Sequence, residues 1–137
     1  MTTEIRLAGT GGQGVILASV ILAEAAGVHE GRQVVQTQSY GPEARGGASR
    51  SEVVIARGEI DYPKVMAADF LLCMSQEACD KFAAEAKEDA WIVVDASNVS
   101  RVPSLRALGV PISDLAEATT GRRITASIVS LGLIAGL

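Results

Sequence analysis

Aromatic residues are scarce in this chain: one tryptophan, two tyrosines and two phenylalanines among 137 residues. There are two cysteines and one histidine. Cys73 and Cys79 cannot build a disulfide framework, and a C-x5-C pair cannot by itself ligate a four-iron cluster. Both read as small hydrophobes rather than reactive thiols. His29 lies between two expected elements beside Glu30, the place of a solvated loop histidine rather than a general base. Bases are outnumbered by acids, 12 to 16, which argues against a sequence-independent nucleic-acid binder. No Gly-Asp-Gly run followed by asparagine is present, so a thiamine-diphosphate magnesium site is not expected on this chain.

Long apolar runs are also missing. Residues 7–23 carry no charge, but Gly9, Gly11, Gly12, Gln13 and Gly14 interrupt them, leaving too little to cross a bilayer. The first seven residues include Glu4 and Arg6 and lack a signal-peptide core. The expectation is a cytoplasmic protein with reduced thiols and no membrane contact. What is abundant is small aliphatic side chain: 48% of residues are hydrophobic and 20% charged. The length fits a single domain over residues 1–137.

Short β-branched runs alternate with helical patterns. Strands are expected at residues 4–8, 33–38, 50–56, 69–74, Trp91–Asp95 and 110–112. A helix is expected over 14–26, with Glu24 its only charge and Gly27 its stop. A second should run from Gln76 to about Glu88, capped by Ser75, with Glu77 in its first turn and Lys81 paired to Glu85. Asp114 and Glu117 form a capping-box-like start to a third. Residues 39–49 form a loop, and Pro63 marks a turn over 62–64. Arg122 and Arg123 read as a solvated pair, and Asp95 as a turn or helix cap. The fold class is α/β, a Rossmann-like three-layer sandwich whose mostly parallel sheet has helices on both faces. Ligands in such folds sit beyond the carboxyl ends of the strands.

Residues 9–14 (GTGGQG) match G-x-G-x-x-G after a strand and before a helix. Glycines there let a ligand approach the backbone, and the helix N-terminus favours an anion. A dinucleotide would want an acid at the end of the second strand, but residues 33–38 read QVVQTQ. A phosphate-bearing ligand, packed partner backbone and a tight turn with no ligand remain as readings. The second loop, residues 39–47 (SYGPEARGG), is more specific. Tyr40 can stack or donate, Pro42 stiffens the turn after Gly41, and Gly46-Gly47 permits positive φ. Arg45 could hold a carboxylate or phosphate, or pair with Glu43 at the surface.

Together the loops resemble the gamma subunit of 2-oxoacid:ferredoxin oxidoreductases. The matching residues are 9–15 (GTGGQGV), Ala18, Ala23 and 39–47, with Tyr62-Pro63 and Ala68-Asp69. The YGPEARGG form is similar to 2-oxoglutarate-type subunits, while pyruvate-type subunits carry a differently spaced, Phe- and Arg-containing loop. The resemblance implies an accessory subunit of a complex that decarboxylates a 2-oxoacid oxidatively, passing the acyl group to coenzyme A and electrons to ferredoxin. It also implies that thiamine diphosphate, magnesium and iron–sulfur clusters lie in or with partner alpha, beta and ferredoxin-like delta subunits or equivalent domains. No catalytic or metal-ligating residue is expected here.

The candidate cofactor-binding set is Gly9, Gly11, Gly12, Gln13, Gly14, Tyr40, Gly41, Pro42, Glu43, Arg45, Gly46 and Gly47, toward coenzyme A. A stand-alone nucleotide-binding regulator or reductase is the alternative, and a homodimer is open to the isolated chain. Related subunits run on past the C-terminal helix, so the pattern implies a C-terminally shortened form. Ser127 stands where the family commonly has asparagine. The helical stretches 15–26 and 124–137 look apolar almost all round and would need cover from an assembly.

Overall fold

The computed structural model describes residues 2–10, 14–39, 48–60, 65, 67–101 and 107–121. Its six strands are β1 (Thr2–Thr10), β2 (Gln33–Ser39), β3 (Ala48–Ala56), β4 (Phe70–Cys73), β5 (Trp91–Asp95) and β6 (Ala107–Val110). They form one sheet in the order β2-β3-β1-β4-β5-β6. The pairs β1/β4, β4/β5 and β5/β6 are parallel. Only β3 is reversed, antiparallel to both β1 and β2, so β2 runs the same way as β1. The reversal follows from the connection. Eight residues separate β2 from β3, fewer than the dozen or more that a parallel crossover needs, so the chain returns antiparallel.

The helices are α1 (Val15–Glu24), α2 (Gln76–Phe82) and α3 (Ile112–Thr120). Alternation along the central strands builds two cores. Leu71, Cys73, Ile92 and Val94 pack with Ala78, Cys79 and Phe82 of α2 on one face. Leu7, Val53, Leu72 and Val93 pack with Val15 and Ala18 of α1 and Ile112 and Ala116 of α3 on the other. The expected three layers are therefore present. Each large aliphatic so buried stabilises the fold by about 1.5–3 kcal/mol.

Several local expectations give way to tertiary packing. The stop at Gly27 is not taken. A π-helical stretch, Ala25–His29, carries the chain through it, and Gly31 at φ 68° makes the reversal into β2. α2 is shorter than its pattern suggests, passing into a 3-10 turn at Ala83–Glu85. The expected Lys81–Glu85 pair is not among the ion pairs of the described residues. Glu85 instead reaches Arg6 at 2.9 Å. The strand expected at 110–112 lies earlier, because Pro111 ends β6 and Ile112 is taken into the core by α3. α1 is not buried all round within the chain: Val15, Ala18 and Ser19 face the sheet, while Leu17, Val20 and Ile21 stand exposed. The stretch 124–137, Arg122, Arg123, Ser127 and the turn at Pro63 lie outside the described residues.

Arg6 is the least expected interior residue. β1/β3 register sets it opposite Glu52, and both are buried. Its Nε donates to Glu52 at 2.8 Å and its Nη2 to the Val65 carbonyl at 2.9 Å. The guanidinium lies 5.3 Å from the centre of the Phe82 ring, within cation–π range.

Candidate functional site

The chain leaves β1 to one side of the sheet through α1 and returns to the other side through β4, and α1 and α2 lie on opposite faces. The carboxyl ends of β1 and β4 therefore flank a topological switch point, where open α/β sheets place ligands. Three groups converge there. β1 ends at Gly9 and Thr10, whose ladder partners on β3 are Ser49 and Ala48. Ser49 Oγ donates to the Gly9 carbonyl at 3.2 Å. Met74 N–H, just past β4, donates to the Ala8 carbonyl at 2.8 Å.

The glycine-rich segment ends at Gly14, the N-cap of α1, with φ 76° and ψ 17°. That left-handed conformation disfavours any residue with a Cβ. It turns the chain so that Val15 enters the core while the first N–H groups of α1 stay without intrahelical partners. Gly14→Val should cost about 1–2 kcal/mol from this strain alone. The measurement is urea unfolding of the variant beside Ser39→Ala, which serves as a mild control at the other loop's border. Equal midpoints for Gly14→Val and wild type would refute the strained turn.

Of the predicted site residues, Gly9 and Gly14 are in described structure and stand at the two ends of the first loop. Gly11, Gly12, Gln13, Tyr40, Gly41, Pro42, Glu43, Arg45, Gly46 and Gly47 lie outside the described residues. What is fixed is where their loops begin and end. Residues 40–47 join β2 to β3, and β3 starts beside the end of β1. Both loops thus spring from neighbouring strand ends on one edge of the sheet. Ser49 is a tie between them that the sequence did not mark, since a serine at a loop border carries no signal of its own.

The reversed β3 also bears on the dinucleotide reading. In a dinucleotide fold the second strand adjoins the first. Here β3 stands between them, setting the end of β2 one strand spacing further away, about 4.8 Å. Gln36, near that end, turns its amide toward Ser19 and Ser51 at 3.1 and 2.9 Å rather than toward a ligand.

Further along the same edge, Asp95 ends β5 fully buried. Its carboxylate accepts from Ser97 N–H at 3.1 Å, Asn98 Nδ2 at 3.0 Å and Ser113 N–H at 3.2 Å, and from Ser113 Oγ. It caps the turn after β5 and the start of α3, in place of the expected Asp114/Glu117 box. Cys73 and Cys79 are both buried. Burial, then the neighbouring Cys79, pushes the Cys73 thiol far above its ordinary range, and burial raises Cys79 as well. Buried thiols raised in this way are poor nucleophiles. Among the described residues no three His, Cys, Asp or Glu side chains converge as a metal site.

The matched Ala68-Asp69 pair lies at the opposite edge. Asp69 accepts Glu4 N–H at 2.8 Å and Lys87 Nζ at 2.7 Å, tying β1 to the segment before β5. That bond raises the Lys87 ammonium above its ordinary range. A groove of about 470 Å³ opens at that edge too, floored by Ile5, Ile55 and Leu22 with Arg32 at its rim. It holds none of the predicted site residues.

The family model described as pyruvate ferredoxin/flavodoxin oxidoreductase matches residues 4–137. The chain belongs to this family. Its architecture is that of a gamma subunit of keto/oxoacid ferredoxin oxidoreductase from Geobacter sulfurreducens, with TM-score 0.90 and 46% identity, covering all of this chain and 76% of that one. It is 48% identical to the 2-oxoglutarate synthase subunit KorC of Methanocaldococcus jannaschii, over all of this chain and 75% of that protein. The fold also recurs, at 23% identity and TM-score 0.83, in a 2-oxoglutarate:ferredoxin oxidoreductase of Magnetococcus marinus solved with 2-oxoglutarate, coenzyme A and succinyl-CoA. There the match covers 96% of this chain and 23% of that one. As a family member the chain is a gamma-type subunit of an oxidoreductase. Among its described residues no helix is long and apolar enough to cross a membrane.

Proposed function

We propose that this chain is the accessory gamma subunit of a cytoplasmic 2-oxoglutarate:ferredoxin oxidoreductase. Its work is to complete the assembly and to hold part of coenzyme A while the 2-oxoacid is decarboxylated oxidatively and ferredoxin is reduced. Alpha, beta and ferredoxin-like delta partners carry thiamine diphosphate, magnesium and the iron–sulfur clusters. The preference for 2-oxoglutarate rests on the similarity to KorC subunits. The observation that carries the coenzyme A role is the pairing of Gly9 with Ser49 beside the start of α1. It sets both glycine-rich loops on one strand edge. A helix N-terminus and the guanidinium of Arg45 would there meet the anionic groups of coenzyme A.

The test is steady-state kinetics of the assembled complex. Arg45→Ala should raise the KM for coenzyme A about tenfold, the loss of one charge-assisted contact, with the KM for the 2-oxoacid unchanged. An unchanged KM, together with no calorimetric heat from coenzyme A, would remove the ligand role and leave a scaffold.

A further inference from the structure

Three cations surround one aromatic ring on the α2 side of the sheet. The charged groups of Arg6, Arg50 and Lys81 lie 5.3, 5.8 and 5.4 Å from the centre of the Phe82 ring. Phe82 is buried at the end of α2 and is their common support. Arg6 is engaged by Glu52, Glu85 and the Val65 carbonyl. Arg50 and Lys81 are not: among the described residues neither has an ion pair or a side-chain hydrogen bond. Three cations against two carboxylates leave this cluster one positive charge in excess.

Arg50 is not a free surface charge. It is half-buried on β3, where strand alternation turns it to the same side as Glu52 and Val54. The strand fixes its root and the Phe82 ring holds its head, so binding an anion would cost it little further freedom. Its guanidinium donors are still unused. Its place in the fold is as telling. Its ladder partners are Ser39, the last residue before the second glycine-rich loop, and Ala8, the neighbour of Gly9. Arg50 therefore stands at the common root of both loops, on the face opposite α1.

The chemistry of the pair favours one class of anion. A carboxylate is satisfied by an arginine fork alone. A phosphate carries about two negative charges and three strong acceptor oxygens, enough for a fork from one side and an ammonium from another. Arg50 comes from β3 and Lys81 from α2, and Lys81 is exposed, so its ammonium can turn toward the same oxygens. We propose that Arg50 and Lys81, supported on Phe82, form a phosphate subsite at the root of the second loop, on the α2 side of the sheet. Coenzyme A, with its 3′-phosphate and diphosphate, is one source of that group, and this source alone rests on the coenzyme A reading. Free inorganic phosphate is the other.

The probe is inorganic pyrophosphate, titrated into the full chain and followed by NMR at the arginine Nε–H and backbone amide signals. The Arg50 signal should shift saturably. The Kd should rise about tenfold in Arg50→Gln and in Lys81→Gln, and recover in part in Arg50→Lys. A purely structural ring contact would leave that signal unmoved. In the assembled complex the same variants separate the sources. A raised KM for coenzyme A with that for dephospho-coenzyme A unchanged assigns the 3′-phosphate, and equal rises assign the diphosphate. Unchanged values beside lost pyrophosphate binding assign free phosphate. Shifts that do not saturate, or a Kd unmoved by these substitutions, overturn the subsite whatever Arg45→Ala does. So does a raised KM for the 2-oxoacid, which would make this a carboxylate site. Should Arg50→Gln misfold, Lys81→Gln, at an exposed position, and the Arg50 signal of the unaltered chain still decide.

Discussion

Arg6→Met should destabilise the chain by about 3–5 kcal/mol, the cost of stripping a buried ion of its partner. The substitution keeps much of the side-chain volume on Phe82 but removes every donor. Glu52 is left buried opposite it, its Nε and Nη2 contacts at 2.8 and 2.7 Å gone. Glu85 is half-exposed and loses little by returning to water. Pairing the change with Glu52→Leu should recover much of the loss, because two apolar groups need no partner. A double-mutant cycle in urea reads the coupling. If Arg6→Met costs under about 1 kcal/mol, the pair is not buried as described.

Asp95→Ala should rank next, at about 3 kcal/mol, given that hydrogen bonds to a charged group are worth about 1.5–3 kcal/mol each and are not additive. The carboxylate receives four hydrogen bonds, from the Ser97 and Ser113 N–H groups and the Asn98 and Ser113 side chains. Removing it orphans the Ser113 N–H in a buried setting and frees α3 from the end of β5. Ser113→Ala removes one of those bonds and should cost about 1 kcal/mol. Thermal unfolding of the two variants gives the comparison. Equal losses would mean that the carboxylate does little beyond its bond to Ser113.

Both effects depend on contacts between segments remote in sequence, which is where reading the chain alone stopped. β5 was legible residue for residue, because its inner residues Ile92, Val93 and Val94 are buried on both faces and form a continuous apolar run. The first helix was legible in type, yet its extension through Gly27 depends on the reversal made at Gly31. Arg6 read as a terminal charge until β3 set Glu52 opposite it. α3 carried a plausible local cap at Asp114, but Asp95 supplies a better one from another strand. No local pattern records that. For the site, the sequence yielded both glycine-rich loops, and the fold added their common root. β3's alternation is the same in either direction, and its reversal was legible only from the short spacing between the second and third strands.

That root has a consequence for variation. The β2/β3 ladder from Gln33–Ala56 to Ser39–Arg50 and the β1/β3 ladder from Thr2–Ala56 to Thr10–Ala48 hold the two strand ends that flank the second loop in place. Lengthening a loop between fixed ends is cheap: each doubling costs only about 0.6 kcal/mol in closure entropy. Segment 40–47 can therefore gain or lose residues without disturbing the sheet. The glycine turn ending at Gly14 has no such latitude, because a left-handed residue and the first turn of α1 must stay in step.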